Sequence, residues 1–392
     1  MFTVGVKRVG HPLNSSLLWV SGKRSRWNSA QLYPYLFVMP APLPRRRFLG
    51  QFATISIVSG LFARRAWAAD GDTHPDILGQ GDFRYRAIVG WGKTEGRTVN
   101  DCHAMAQDKA GRIFLFNTDI ANSMMIYDRS GKLLTTWEKK FPGAHGMTLA
   151  NENGTEFLFL TDTNSRKVFK CTLDGKVLLE LGRPKGGRYV DPKVGYCPTD
   201  VAVAPNGEFY VMDGYGSSQI TRYSATGEEI SVFGGNHLPG NDLARLATCH
   251  GGSVDSRSGK SYFNVASRQE SAIKRFDLDG KALAKFSFAN CFPCFVTQHG
   301  KHSFVPQISL NAHCAIPPGT AGLISVLDAD FKVVSNIGGD APVYKDGVLQ
   351  KVTTSANNPF RFPHGVGIDN EDSIYVAQWN SGRTFPIKLV RV

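Results

Sequence analysis

CHAMAQD (102–108), AHGMTLA (144–150), PTDVAVAP (198–205), CHGGSVD (249–255), PCFVTQH (293–299) and PHGVGID (363–369) are six versions of one short phrase. Each is a small apolar strand, introduced at one fixed position by His103, His145, Thr199, His250, Cys294 or His364. The segments after the phrase repeat as well. A polar turn leads to a second strand such as RIFLFN, EFLFLTD, EFYVMDG, SYFNVAS or SIYVAQW, then to a third such as SMMIYD, KVFKCT, QITRYS or AIKRFD. Ser-Gly-Lys, Asp-Gly-Lys or Thr-Gly-Glu turns precede a fourth, for example LLTTWE, VLLELG, EISVFGG or ALAKFSF. Four alternating strands at a period of roughly 40–50 residues predict an all-β propeller of four-stranded blades. Six phrases predict six blades, and no helical period competes.

The sixth repeat is short of a strand. After SIYVAQW the chain reaches IKLVRV and stops, three strands in. YRAIVGWGK (85–93), ahead of the first full repeat, has the form of a fourth strand. The N-terminal strand is therefore expected to complete the last blade, closing the ring and leaving no open sheet edge there.

The formal charge of +12 suggests an anionic partner, but its distribution argues otherwise. Ten of the 45 basic residues and none of the 33 acidic ones precede Ala69, which leaves 35 basic against 33 acidic, a body of +2. Such a body gives no electrostatic reason to expect nucleic-acid binding. Within the basic segment, Arg45-Arg46-Arg47-Phe48-Leu49 leads into an apolar run, Phe52 to Phe62, and ends at Ala66-Trp67-Ala68. This resembles a twin-arginine export signal with Arg45 and Arg46 as the pair. The run is too short for an ordinary membrane span, so no stable anchor is expected after cleavage. The expected organisation is an upstream extension over 1–38, with Met39 as the working start, a signal over 39–68, a linker over 69–82 and the propeller over 83–392. The mature protein is expected in the periplasm or outside the cell.

Seven cysteines lie in the mature region: Cys102, Cys171, Cys197, Cys249, Cys291, Cys294 and Cys314. An exported location permits disulfides, and the odd count leaves a thiol over unless it binds metal or pairs between chains. Cys291-Phe-Pro-Cys294 lacks both a second such pair and a following histidine, so neither a zinc ribbon nor haem attachment is expected. A disulfide or two with buried thiols is the expectation.

Equivalent positions in a rotational repeat point at one axis. His145, His250 and His364, from alternate repeats, would approach it with threefold symmetry. Three neutral imidazoles suit zinc, and three protein ligands leave a position open for water or substrate. His103 shares the register and is an additional candidate ligand, otherwise a residue of the pore. With Cys294 it would raise the ligand count and make copper or iron competitive with zinc.

The repeats resemble the NHL type over residues 83–392, and within it the peptidyl-hydroxyglycine lyase domain of peptide-amidating enzymes. The resemblance implies a zinc ion on His145, His250 and His364. The third repeat, YCPTDVAVAPNGEFYVMDGYGSSQITRYSATGE, is especially similar. Its Asp213-Gly214-Tyr215 matches the segment that carries the family's proposed tyrosine base, and Ala266-Ser267-Arg268 resembles the segment whose arginine lines the active site. The chain also departs from the pattern. Phe116-Asn117-Thr118 stands where the family has another arginine, and Phe362 replaces a methionine. Gly365 replaces a calcium-ligating aspartate, so calcium is not expected. Gly216 replaces the disulfide partner of Cys197. Asp200, after Thr199, is expected to satisfy a backbone turn.

These residues support two functional expectations. In the first, the protein is an exported metal-dependent lyase or hydrolase of a small activated or peptide-like substrate, with Tyr215 moving a proton and Arg268 orienting an anionic group. In the second, it is a non-catalytic propeller that binds a protein or glycan and holds a structural metal. No particular protein partner is indicated.

Overall fold

The computed structural model describes residues 77–309 and 321–392. The expected upstream extension and signal, residues 69–76 and Cys314 lie outside the described residues.

Strands rich in β-branched and aromatic residues, separated by glycine-bearing turns, form six antiparallel blade sheets in sequence order, with a separate two-stranded ribbon, Tyr344–Lys345 and Val348–Leu349, between the fifth and sixth. Blade 1 comprises Cys102–Gln107, Ile113–Asn117, Met124–Tyr127 and Leu133–Thr136; blade 2 comprises Ala144–Glu152, Thr155–Asp162, Lys167–Thr172 and Val177–Leu181. Blade 3 contains Asp200–Val203, Phe209–Met212, Gln219–Tyr223 and Glu229–Gly234. Blade 4 contains Cys249–Asp255, Tyr262–Ser267, Ala272–Phe276 and Ala282–Ser287. Blade 5 contains Thr297–His299, His302–Gln307, Leu323–Leu327 and Val333–Ile337. Pro363–Ile368, Ile374–Gln378 and Ile387–Arg391 form blade 6. The protein is a six-bladed β-propeller. Among the described residues there is no α-helix, and no helix long and apolar enough to cross a membrane.

Closure follows the sequence expectation. Tyr85–Ile88 pairs with Ile387–Arg391, in the register Tyr85 opposite Arg391 and Ala87 opposite Leu389. A further strand, Ile77–Leu78, pairs outside it with Arg86 and Tyr85. Ile77 and Leu78, expected as linker, therefore belong to the sheet, and residues 79–82 form the turn that leads on to Tyr85. Leu78 is buried in the seam between blades 5 and 6, and the Gln80 side chain accepts from the Asn336 N–H at 2.8 Å while donating to the Gly339 carbonyl at 2.8 Å.

Burial explains the strand composition. The middle strands Ile113–Asn117, Phe209–Met212, Leu323–Leu327 and Ile374–Gln378 are buried on both faces because blades pack on each side of them. The outermost strands alternate, as Val177–Leu181 and Ala282–Ser287 do, because blades splay apart at the rim. Six apolar clusters fill the six seams. That between blades 6 and 1 holds Trp91 against Tyr127 and Tyr375, with ring centroids 5.1 and 4.8 Å away. The innermost strand of each blade leaves one edge toward the axis, where the blades enclose a channel of about 370 Å³.

The expectation of one or two disulfides is not met by the described thiols. Cys102, Cys171, Cys197, Cys249 and Cys291 are unbridged, and all but Cys197 are buried. They pack as small apolar residues: Cys171 in the seam of blades 1 and 2, Cys249 in that of blades 3 and 4.

Candidate functional site

His145, His250 and His364 stand on the innermost strands of blades 2, 4 and 6 and are almost wholly buried. Their ring centroids lie 4.8 Å (145 to 250), 4.9 Å (145 to 364) and 4.8 Å (250 to 364) apart, a nearly equilateral triangle. Each ring is oriented by the blade after its own. Nδ1 of His145 meets the Thr199 carbonyl at 2.7 Å, that of His250 the Cys294 carbonyl at 3.0 Å, and that of His364 the His103 carbonyl at 3.1 Å. A carbonyl only accepts, so Nδ1 carries the proton and Nε2 keeps its lone pair for the interior of the cluster.

The residue after each histidine makes this approach possible. Gly146, Gly251 and Gly365 each lie so close to the same carbonyl that a Cβ would collide with it: with Thr199 O at 2.5 Å, with Cys294 O at 2.8 Å, and with His103 O at Gly365. The His-Gly pair thus sets the ring tautomer and the blade spacing together. An aspartate at position 365 would meet the carbonyl that His364 uses.

Burial holds these imidazoles neutral. It pushes His145 down to about 3, with the Thr199 hydrogen bond opposing and the Arg268 charge assisting. Burial likewise carries His250, His364 and His103 well below the ordinary histidine value, with neighbouring charges assisting. The Tyr215 hydroxyl lies 3.1 Å from Nε2 of His145 and 3.0 Å from Nε2 of His250. One phenolic proton serves one acceptor, and Nε2 of His364 has no partner. Two of three buried lone pairs are therefore unsatisfied, each at a cost of about 1–3 kcal/mol. Neutral nitrogens with fixed tautomers and unsatisfied lone pairs form a donor set that fits a divalent transition metal. No carboxylate joins the cluster among the described residues, which suits a hard oxygen-seeking cation poorly.

Tyr215 is 45 % exposed, its ring opening to solvent on one side while its hydroxyl is enclosed among the imidazoles. Burial raises the phenol's pKa and the Arg268 charge draws it back. The turn that carries it is clamped from below. Asp213 accepts from Tyr189 Oη at 2.8 Å, from the Ser217 N–H and Oγ at 2.7 Å each, and from the Cys197 N–H at 2.6 Å. A Cβ on Gly216 would collide with that carboxylate. Gly216, which replaces the disulfide partner found in the resembled family, thus leaves room for a hydrogen-bonded clamp.

Arg268 begins a short 3-10 turn at the end of the second strand of blade 4. Its guanidinium lies 5.5 Å from the centre of the Tyr215 ring, and Nη1 is 3.8 Å from Cys294 Sγ. Nε is buried with no partner, a donor left over for an incoming acceptor. Cys294 Sγ groups with the nitrogens of His250 and His364 within 4.8 Å.

The arginine missing at the end of the first blade's second strand is not replaced locally. Asn117 is fully buried and structural: its Nδ2 donates to the Asn122 carbonyl at 2.7 Å and its Oδ1 accepts from the Asn100 and Asp119 N–H groups at 3.2 and 3.0 Å. Arg97 is exposed and donates to Asn122 Oδ1 at 3.2 Å; Arg166 is exposed on a turn. Asp200, expected from the sequence to satisfy a backbone turn, does not do so but stands in the first strand of blade 3. Its Oδ2 accepts the Gly252 N–H of blade 4 at 3.1 Å, its Oδ1 is buried without a partner, and burial raises its pKa to about 8. The backbone acceptors of Thr199, Cys294 and His103 are the participants that the sequence reading missed. The signal was present: they occupy the phrase position of the odd-numbered blades.

No family model matches the chain. A stretch of 119 residues is 39% identical to peptidyl-alpha-hydroxyglycine alpha-amidating lyase 1 of Drosophila melanogaster, covering 28% of this chain and 20% of that protein. Over 153 residues it is 31% identical to a probable peptidyl-alpha-hydroxyglycine alpha-amidating lyase of Caenorhabditis elegans, covering 35% of this chain and 42% of that one. NHL repeat-containing protein 3 of Mus musculus is 25% identical over 265 residues, 63% and 74% of the two chains. The matches thus span a fifth and about two fifths of the length of the two lyases. Among solved structures, a gluconolactonase of Xanthomonas campestris superposes with a TM-score of 0.53 at 12% identity, covering 83% of this chain and 98% of that one. A catalytically inactive virginiamycin B lyase of Staphylococcus aureus gives 0.51 at 13% identity, covering 79% and 100%. At such identities the structural likeness carries the fold alone.

Proposed function

We propose that this propeller is a metal-dependent lyase or hydrolase acting on a small activated substrate that bears an anionic group, of the peptidyl-hydroxyglycine type in its chemistry. The observation that carries this reading is the threefold set of imidazoles, each fixed through Nδ1, with Nε2 of His145 and of His250 on Tyr215 Oη, Nε2 of His364 unpartnered, and the Arg268 guanidinium over the Tyr215 ring. The partial identities to two amidating lyases point the same way. His145, His250 and His364 would hold the ion, zinc or another divalent transition metal. When bound, it supplies Lewis-acid polarisation of a substrate oxygen or acidification of a bound water. Tyr215 moves a proton at Oη, placed for this by the Asp213 clamp. Arg268 donates through its guanidinium to the substrate's anionic group. The half-exposed Tyr215 ring marks the open side from which a substrate enters.

Protein purified from its native compartment should carry one transition metal per chain and turn over some member of a panel of peptidyl-hydroxyglycines, lactones and esters. Tyr215→Phe should lower kcat far more than it changes KM. Metal without turnover across the panel would replace this reading with that of a binding scaffold.

We also propose export by the twin-arginine route to the periplasm or beyond, with the mature chain beginning near Ala69. That route carries folded proteins, so the metal would be inserted before transport. N-terminal sequencing of the mature protein tests this, and residues from before Met39 would overturn it.

A further inference from the structure

The three-imidazole reading leaves His103 without a task, and its surroundings are not those of a core histidine. It is 5% exposed, and its ring centroid lies 4.4 Å from that of His364 and 4.6 Å from that of His145, closer than the three threefold rings lie to one another. A buried structural histidine normally satisfies its ring nitrogens. Here Nδ1 is buried with no hydrogen-bond partner. The ligand-capable atoms of His103, His145 and His364 lie within 4.8 Å of one another. His103 is also the one histidine of the register that is followed by alanine, Ala104, where the other three have glycine. Its ring is not tied to a carbonyl of the next blade as theirs are, and it is left to face the cluster.

We propose that His103 is a fourth imidazole ligand, making this a four-nitrogen centre. The inference rests on the metal reading above and deepens it. Four neutral imidazoles, with Tyr215 Oη beside two of them, exceed the tetrahedral three-ligand set of a zinc site with one open position. They suit a metal that takes more than four ligands and favours nitrogen, copper(II) before iron(II). His103 stands on blade 1 and Tyr215 on the turn of blade 3, so a fourth imidazole would leave Tyr215 and Arg268 free to meet a substrate.

The test uses copper(II) as the probe, added to full-length mature protein stripped by chelator, with pulsed electron paramagnetic resonance counting the coordinated imidazoles. The expected count is four in the wild type and three in both His103→Ala and His103→Phe. Copper affinity should fall in both by at least the roughly 10–100-fold typical of losing a supporting partner. His103→Phe preserves an aromatic ring in the cluster, so a packing role would leave its affinity near that of the wild type. Three imidazoles in the wild type, or unchanged counts in both variants, overturn the inference. His250→Ala separates the two levels. If it binds copper as tightly as the wild type, the metal reading itself fails; if it loses copper while the His103 variants keep theirs, only the fourth ligand falls.

Discussion

Stripped of metal, the protein should lose roughly 4 kcal/mol of stability for each pH unit below about 6. The cause is the buried histidine cluster. Above the unfolded value of about 6.5, both states hold these imidazoles neutral and pH has no effect through them. Below it, the unfolded chain takes up protons that the folded chain refuses, because burial keeps His103, His250 and His364 well below the ordinary value and His145 near 3. Each imidazole then costs about 1.4 kcal/mol per pH unit until its folded value is reached. Asp200 acts in the opposite sense. Its folded pKa of about 8 lies above the unfolded one, so its contribution grows as pH falls from 8 toward 4. Four imidazoles against one carboxyl leave about three protons per molecule. Set against a total stability of about 5–15 kcal/mol, this unfolds the apoprotein between about pH 5 and about 3. Denaturant titrations at about pH 7, 6 and 5.5 in chelator should show the loss, and Asp200→Asn should steepen it by one proton. Bound metal should raise stability at about pH 7 and move acid unfolding to lower pH with little change of slope, because the folded imidazoles already exclude protons. A flat profile between about pH 7 and 5 would mean that the cluster opens to solvent and takes up protons without unfolding.

The propeller was legible because its signal is redundant. Six phrases, each leading into similar strands, outvote any local irregularity, such as the first strand of blade 5, which shrinks to Thr297–His299. Closure was legible from a simple count of strands. The edge strand Ile77–Leu78 was not, because two residues carry no periodicity and only the neighbouring seam shows why Leu78 is apolar. The histidine register was equally visible, and the structure brings those rings into contact. What fixes their tautomers is backbone, the carbonyls of Thr199, Cys294 and His103, and a carbonyl leaves no letter of its own. Its trace is indirect: glycine after His145, His250 and His364, and alanine after His103. The Asp213 clamp was hidden for another reason. Its partners Tyr189, Cys197 and Ser217 come from both sides of blade 3's first strand, and only the folded turn collects them around one carboxylate.

Replacing Arg268 with methionine should cost about 10²–10³ in kcat/KM on any carboxylate-bearing substrate, the usual loss when a charge-stabilising donor is removed from an enclosed site. Methionine keeps the apolar stem that lies against Tyr215 but removes the donors, including the buried Nε that has no partner in the protein. The loss should vanish for a neutral amide analogue of the same substrate, because the contact being removed is to the anion. A second readout is independent of turnover. The Arg268 charge contributes to the depression of His103, His145, His250 and His364, so its removal raises all four and moves the acid unfolding midpoint of the apoprotein to lower pH. Arg268→Lys divides the two effects: it keeps the positive field, and so the acid profile, but lacks the planar fork that recognises a carboxylate through two bonds. If Arg268→Met retained both the preference for the carboxylate and the wild-type acid midpoint, the guanidinium would be packing on Tyr215 and nothing more. The anion would then be held elsewhere on the rim, where the exposed side chains of Arg97 and Arg166 are the next to replace.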